Sequence, residues 1–130
     1  MKLINIDVDI EESFRKKINH AALKAAEEIA IRNTTLEAEK RCKVQAPGPG
    51  NQLPGTKYRA SGNLRRSHST QISKEQGLVK NSAKYAVYVI HGTSKMPARN
   101  YPVKVANALA SENYITRTVL TELRRRGMIE

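Results

Sequence analysis

The chain has few of the residues that cross-link or fill small folds: one cysteine, no tryptophan and one phenylalanine among 130 residues. A single thiol, Cys42, excludes an internal disulfide framework and fits synthesis in a reducing cytosol. No apolar run reaches the length of a membrane span, and the N-terminus lacks the apolar core of a signal peptide. We therefore expect a soluble protein with an aliphatic core, made in the cytoplasm.

Negative charge is also scarce. Twelve Asp and Glu residues face 23 Lys and Arg residues, which gives a formal net charge of +11. A field of this sign favours acidic partners, which include nucleic acid, an anionic membrane and an acidic protein surface. Charge alone does not choose among these partners, and a basic face that is merely solvated is the alternative interpretation.

The first 46 residues predict a strand followed by a long helix. Ile4, Ile6, Val8 and Ile10 alternate with polar residues, which is typical of a half-buried strand. The helix is expected from about residue 11 to about Val44, before Pro47, with a weak point at residues 33–35. Its predicted buried stripe consists of Phe14, Ile18, Ala22, Ala25, Ile29 and Leu36.

Residues 46–57 hold three prolines and three glycines, so neither a helix nor a strand is expected there. Loops of this length in a small domain are either binding elements or disordered, and the sequence leaves both interpretations open.

The second half predicts short elements. A helical turn at 61–67 would be capped by Ser61 or Asn63, and strands at about 68–75 and from Leu78 would form a hairpin. Residues 84–91 suit a strand or a helix equally. Helices are expected at 102–109 and 113–126, the last with an inner stripe of Ile115, Val119 and Leu123. The sequence therefore predicts one α+β domain over residues 1–130, in which the long N-terminal and the C-terminal helices pack on a small antiparallel sheet.

Two stretches carry a more specific pattern. Ala60-Ser61-Gly62-Asn63-Leu64-Arg65-Arg66-Ser67 is the first block, and Tyr85-Ala86-Val87-Tyr88-Val89-Ile90-His91-Gly92-Thr93-Ser94-Lys95-Met96-Pro97-Ala98-Arg99 is the second. Their content, order and spacing resemble the head–tail joining (neck or tail-completion) family of minor structural proteins in long-tailed bacteriophages. The resemblance spans roughly residues 14 to 126, and the two blocks are its specific part.

The resemblance implies a structural virion protein, not an enzyme, with no catalytic residue, cofactor or metal. Such a subunit would form a homo-oligomeric ring at the head–tail junction, between the connector or head-closure proteins and the tail tube. Six-fold symmetry is favoured and twelve-fold symmetry would match the portal. DNA would pass through the lumen without specific binding, and no membrane contact is expected.

The Pro/Gly loop and the two blocks supply the candidate contacts. Adaptable Met, charged Lys and Arg, and turn-forming Gly and Thr are what a subunit-contact loop would use. The candidate interface residues are Pro47, Gly48, Pro49, Leu53, Pro54, Leu64, Arg65, Tyr85, Tyr88, Gly92, Thr93, Lys95, Met96 and Arg99. An ordinary solvated loop is the alternative for the segment 92–99.

Arginine clusters offer a second class of contact. Arg65, Arg66, Arg124, Arg125 and Arg126 could touch phosphate, although a solvated helix face or salt bridges are the commoner use of such runs. A basic nucleic-acid-binding module is thus the alternative function, but it lacks a recognisable reading motif. A nucleophilic Cys42–His91 pair would make the chain an enzyme, but no supporting Asn or Asp motif accompanies it.

Overall fold

A three-stranded antiparallel sheet flanked by helices forms the fold, which confirms the α+β prediction. The computed structural model describes residues 1–8, 20–46, 62–94 and 97–129. The strands are β1 (Lys2–Ile6), β2 (His68–Ile72) and β3 (Gly77–Asn81). The helices are α1 (His20–Gln45), α2 (Asn63–Arg66), α3 (Ala86–His91), α4 (Tyr101–Ser111) and α5 (Tyr114–Arg125). No helix among the described residues is long and apolar enough to cross a membrane.

The sheet has the order β1-β3-β2, with both neighbours antiparallel to the central β3. The predicted hairpin is therefore confirmed, with His68 opposite Asn81 and Ile72 opposite Gly77. Its first strand is shorter than the predicted 68–75 because Ser73 already turns, its N–H donating to the carbonyl of Gln76 at 2.9 Å. The N-terminal strand begins earlier than predicted and ends at Ile6.

The buried stripe of α1 differs from the predicted one. Leu36 is 47 % exposed, and Ala22, Ala25 and Ile29 are only half-buried. The helix carries a second run of small and aliphatic residues one position further along, and this run packs on the sheet and on α5. Phe14 and Ile18 lie outside the described residues. The buried residues of α1 are Leu23, Ala26, Ala30, Ile31, Thr34, Thr35, Ala38 and Cys42.

Small side chains in the middle of α1 let the sheet approach closely. The helix continues without a break through residues 33–35, where the sequence allowed one, and the Thr35 hydroxyl donates to the carbonyl of Ile31 at 2.6 Å. A Cβ at Gly77 would overlap Thr35 Oγ1 and lie 2.9 Å from Thr35 Cβ. Glycine at the start of β3 is therefore a packing requirement of the helix–sheet contact.

Two apolar clusters hold the helices on this frame. One joins the sheet to α3, α4 and the C-terminal half of α1, around Val79, Cys42 and Val105. The other joins the N-terminal half of α1 to Val119 and Leu123 of α5. The inner stripe predicted for the last helix is thus confirmed, with Ile115 half-buried against both clusters.

Two short helices, α2 and α3, lie in the second half of the chain, where the sequence left the structure of residues 84–91 and the cap of the 61–67 turn open. Residues 86–91 form a helix because Ala86, Val89 and Ile90 recur at helical spacing and are buried together. The N-cap of α2 is Gly62 at φ 84°, without a side-chain cap bond, and the predicted cap residue Asn63 is instead the first helical residue. The other predicted cap residue, Ser61, lies outside the described residues. Glycine adopts this left-handed backbone conformation without strain because it has no Cβ, whereas other residues would be strained here.

We expect Gly77→Ala to lower the free energy of unfolding by about 1–3 kcal/mol, because overpacking forces helix and sheet apart. Urea unfolding followed by far-ultraviolet circular dichroism measures this loss. The neighbouring exposed variant Gln76→Ala is the control and should change stability by less than about 0.5 kcal/mol. A Gly77→Ala protein as stable as the control would contradict the close approach.

Candidate functional site

The two sequence blocks are joined by hydrogen bonds from the end of β3. Asn81 is 1 % exposed, and its side-chain amide donates to the carbonyl of Leu64 at 2.9 Å. The Asn81 carboxamide oxygen accepts the N–H of Ala83 at 2.8 Å. One residue further, the N–H of Ser82 donates to the carbonyl of Ser67 at 3.1 Å. The first block is therefore fixed to the segment that leads into the second.

A buried histidine ties the first block to the helix that follows the second. His68 Nδ1 lies 3.0 Å from the carbonyl oxygen of Arg65, and His68 Nε2 lies 2.9 Å from the hydroxyl of Tyr101. A carbonyl only accepts, so Nδ1 carries the proton and Nε2 accepts from Tyr101. Both residues are buried, and the two rings meet edge to face with centroids 5.7 Å apart.

Burial determines the protonation of this cluster. It lowers the pKa of His68 below its usual 6.5, which favours the neutral imidazole that the hydrogen bonds require. Burial also raises the pKa of the Tyr101 hydroxyl, so that it stays a donor. The same effect raises the pKa of the nearby Cys42 thiol to about 11. An activated nucleophile needs the opposite shift, and His91 is exposed, so the geometry does not favour the Cys42–His91 pair.

The outer face of α3 displays apolar and aromatic side chains. Tyr85, Val87 and Tyr88 are 39 %, 43 % and 57 % exposed, while the opposite side of this helix is buried. The backbone around them is well anchored, because the N–H of Gly92 donates to the carbonyl of Tyr88 and the N–H of Arg99 to that of Val89. We call Tyr85, Val87 and Tyr88 the α3 face.

The remaining candidate interface residues are distributed differently. Leu64 is buried in the core and does not reach the surface. Arg65 donates to the carbonyl of Ala46, with its Nη2 at 2.7 Å, and so holds the end of α1. Gly92 is half-buried and Thr93 exposed, and Arg99 is half-buried. The candidates outside the described residues are Pro47, Gly48, Pro49, Leu53, Pro54, Lys95 and Met96.

The arginine run of α5 is partly neutralised by its own helix. Arg125 pairs with Glu122 at 2.8 Å, and Arg126 lies 3.7 Å from the same carboxylate. The pKa of Glu122 is lowered, mainly by its hydrogen bond to the Arg125 guanidinium and also by the positive charge of Arg126. Arg66 and Arg124 are exposed. The arrangement is that of a salt-bridged helix face, with less free charge than the sequence suggests.

A groove between α1 and α4 is a surface that the sequence did not reveal. It has a volume of about 300 Å³ and is lined by Lys40, Arg41, Val44, Gln45, Lys104, Val105 and Ala108. Val44, the last apolar residue of α1, is 67 % exposed. Only the packing of α4 beside α1 brings Lys104 and Lys40 to one groove, so no local pattern could have signalled it.

Arg41 fixes the geometry of this groove. Its guanidinium binds Glu112 through two nitrogens at 2.6 and 2.9 Å, and Glu37 through Nε at 2.9 Å. It also lies over the ring of Tyr114, 5.8 Å from the centroid. A bidentate pair of this kind is geometrically specific. Arg41 therefore holds α1 to the junction of α4 and α5, and its charge is already matched.

Within the described residues, no group of three His, Cys, Asp or Glu side chains could hold a metal ion. No protein-family model, curated protein or solved structure matches the chain.

We expect Tyr101→Phe to lower the free energy of unfolding by about 1–3 kcal/mol, because it leaves the buried His68 Nε2 without a donor. Tyr88→Phe removes the same hydroxyl from an exposed ring and should cost less than about 0.5 kcal/mol. Urea unfolding of the two variants makes the comparison. Equal losses in both would show that the His68–Tyr101 hydrogen bond contributes nothing.

Proposed function

We propose that the chain is a structural protein of the head–tail junction of a long-tailed bacteriophage, where it forms a homo-oligomeric ring between connector and tail. The proposal starts from the two sequence blocks that resemble this family. One structural observation supports it most: the second block turns three apolar side chains, the α3 face, towards solvent on a firmly anchored helix. Such a patch on a small chain is typical of a protein contact.

The composition of the α3 face suits a subunit contact. Tyrosine contributes a large contact area and loses little side-chain entropy, and it is enriched at the centres of protein interfaces. The flanking residues Lys84 and His91 are exposed and carry no negative charge. Apolar contact, with charge at its rim, would then provide the affinity.

A closed ring needs two different patches on each subunit, since a head-to-tail contact is heterologous. The α1–α4 groove is our choice for the second patch. It shares no residue with the α3 face, and it offers an apolar floor of Val44, Val105 and Ala108 between Lys40 and Lys104. Tyrosine rings fit such a groove, because cations at its rim can lie over their faces.

The net charge of +11 suggests an alternative function, that of a basic nucleic-acid-binding module. The pairing of Arg125 and Arg126 with Glu122 counts against it, because those charges are partly matched within the helix. Binding driven by charge alone would disappear with added salt. Sequence-selective binding that survives competitor DNA would favour this alternative.

We expect light scattering of the purified protein, alone or with added tail tube, to give one species of about six or twelve times 14.5 kDa. The variant Tyr88→Asp should shift this species to monomer and raise the concentration for half-assembly by at least about 100-fold, because it buries a charge in the contact. Thr116→Asp, at an exposed position of α5, is the matched control and should assemble normally.

Circular dichroism of both variants separates misfolding from lost assembly. A wild-type chain that stays monomeric with tail components and binds DNA selectively would contradict the proposed function. Normal assembly of the Tyr88→Asp protein would remove the α3 face from the contact.

A further inference from the structure

The outer edge of β2 exposes unpaired backbone groups. In an antiparallel pair, successive residues alternate between those bonded to the neighbouring strand and those pointing away. Backbone bonds join Ser82 to Ser67 and Ser73 to Gln76, so in this register Ser69 and Gln71 bond to β3. The N–H and C=O groups of Thr70 and Ile72 then point away from β3, and none of them bonds to a described residue.

The two edges of the sheet differ in how they are protected. On β1, the register shifts between Lys2 and Ile4, a lysine stands on the strand, and α4 packs alongside. Such bulges, charges and covering elements block the addition of a further strand. Strand β2 has a regular register and the sequence His-Ser-Thr-Gln-Ile, with no proline and no Lys, Arg, Asp or Glu. Ser69, Gln71 and Ile72 are exposed.

We propose that β2 accepts an extended, carboxylate-bearing strand of a different protein, which adds to the sheet as a fourth strand. The choice of a different protein rests on the proposed ring. Pairing β2 with β2 of a second copy would close a two-fold dimer, which a head-to-tail ring does not contain. Pairing β2 with β1 of the next copy is also unfavourable, because β1 has a shift in register and α4 packs beside it. Main-chain hydrogen bonds then supply affinity, as in other cases of strand addition.

Charge on the face of the sheet that bears Lys80 indicates the chemistry of that strand. Lys80 of β3 lies between Ser69 of β2 and Lys2 of β1 in the register. Like charges directly opposite each other destabilise a sheet. The Lys80 ammonium donates a hydrogen bond to the side-chain oxygen of Gln71 on β2, and no described carboxylate pairs with Lys80 or Lys2. A strand beside β2 with Asp or Glu opposite Ser69 and Gln71 would bring negative charge within reach of Lys80.

The test uses a nine-residue synthetic peptide of alternating valine and glutamate as the probe. Amide hydrogen exchange, read by nuclear magnetic resonance, should be fast for Thr70 and Ile72 in the free chain and slowed at least tenfold by the peptide. Ser69 and Gln71 should be protected in both states. An alternating valine–lysine peptide should bind at least tenfold more weakly. Unchanged exchange at Thr70 and Ile72 with millimolar peptide would overturn the proposal.

Thr70→Pro is the decisive variant, because proline is tolerated where the N–H of an edge strand faces solvent. It removes an outward donor and leaves the β2–β3 hydrogen bonds in place. We expect it to fold, to weaken peptide binding at least tenfold and to leave the assembled mass unchanged, whereas the control Thr70→Ala should bind normally. Equal binding by the two variants would overturn the proposal. A wild-type dimer that Thr70→Pro dissociates would identify a second copy as the occupant and also overturn it.

These measurements test the proposed ring and the proposed strand addition to β2 separately. Loss of the ring with peptide binding intact contradicts the proposed function alone. An intact ring without slowed exchange at Thr70 and Ile72 contradicts strand addition alone.

Discussion

The hydrogen bond between His68 and Tyr101 is the contact on which the arrangement of the two blocks depends. It links the start of β2 to the start of α4, while the other nitrogen of His68 donates to the carbonyl of Arg65. Asn81 closes the same cluster by donating to Leu64. A buried polar cluster is stable only when each member is satisfied, so a neutral His68 with its proton on Nδ1 is a condition of the fold.

The cluster explains how a small chain with little aromatic packing can present a precise surface. Because the first block, the hairpin and α4 are fixed to one another, α3 has few ways to move, and Tyr85, Val87 and Tyr88 are held ready for contact. Arg41 does the same for the α1–α4 groove through Glu112 and Tyr114. Contacts formed by rigid elements lose less entropy on association. This is the physical reason to regard these surfaces as assembly sites of the proposed ring.

The features that depend on residues close together in the sequence could be predicted from the sequence. The hairpin, the α+β class and the stripe of Val119 and Leu123 follow from alternation, turn residues and helical spacing. The buried side of α1 does not, because two neighbouring stripes compete and the choice is made by the close approach of Gly77 to Thr35. The α3 face lay within a recognised block, with Tyr85 and Tyr88 among the candidates. The α1–α4 groove was missed because its walls are some 60 residues apart in the chain.

The arrangement of the two blocks is tested most directly by a nuclear magnetic resonance titration of the His68 ring nitrogens. We expect the Nδ1-protonated tautomer and a His68 pKa below the ordinary 6.5, because the ring is buried. As the pH falls through about 6.5, the unfolded chain takes up a proton that folded His68 does not, so this residue's contribution to stability decreases towards acid. An Nε2-protonated ring, or a pKa at or above 6.5, would contradict the proposed cluster and the fixed geometry of the two blocks.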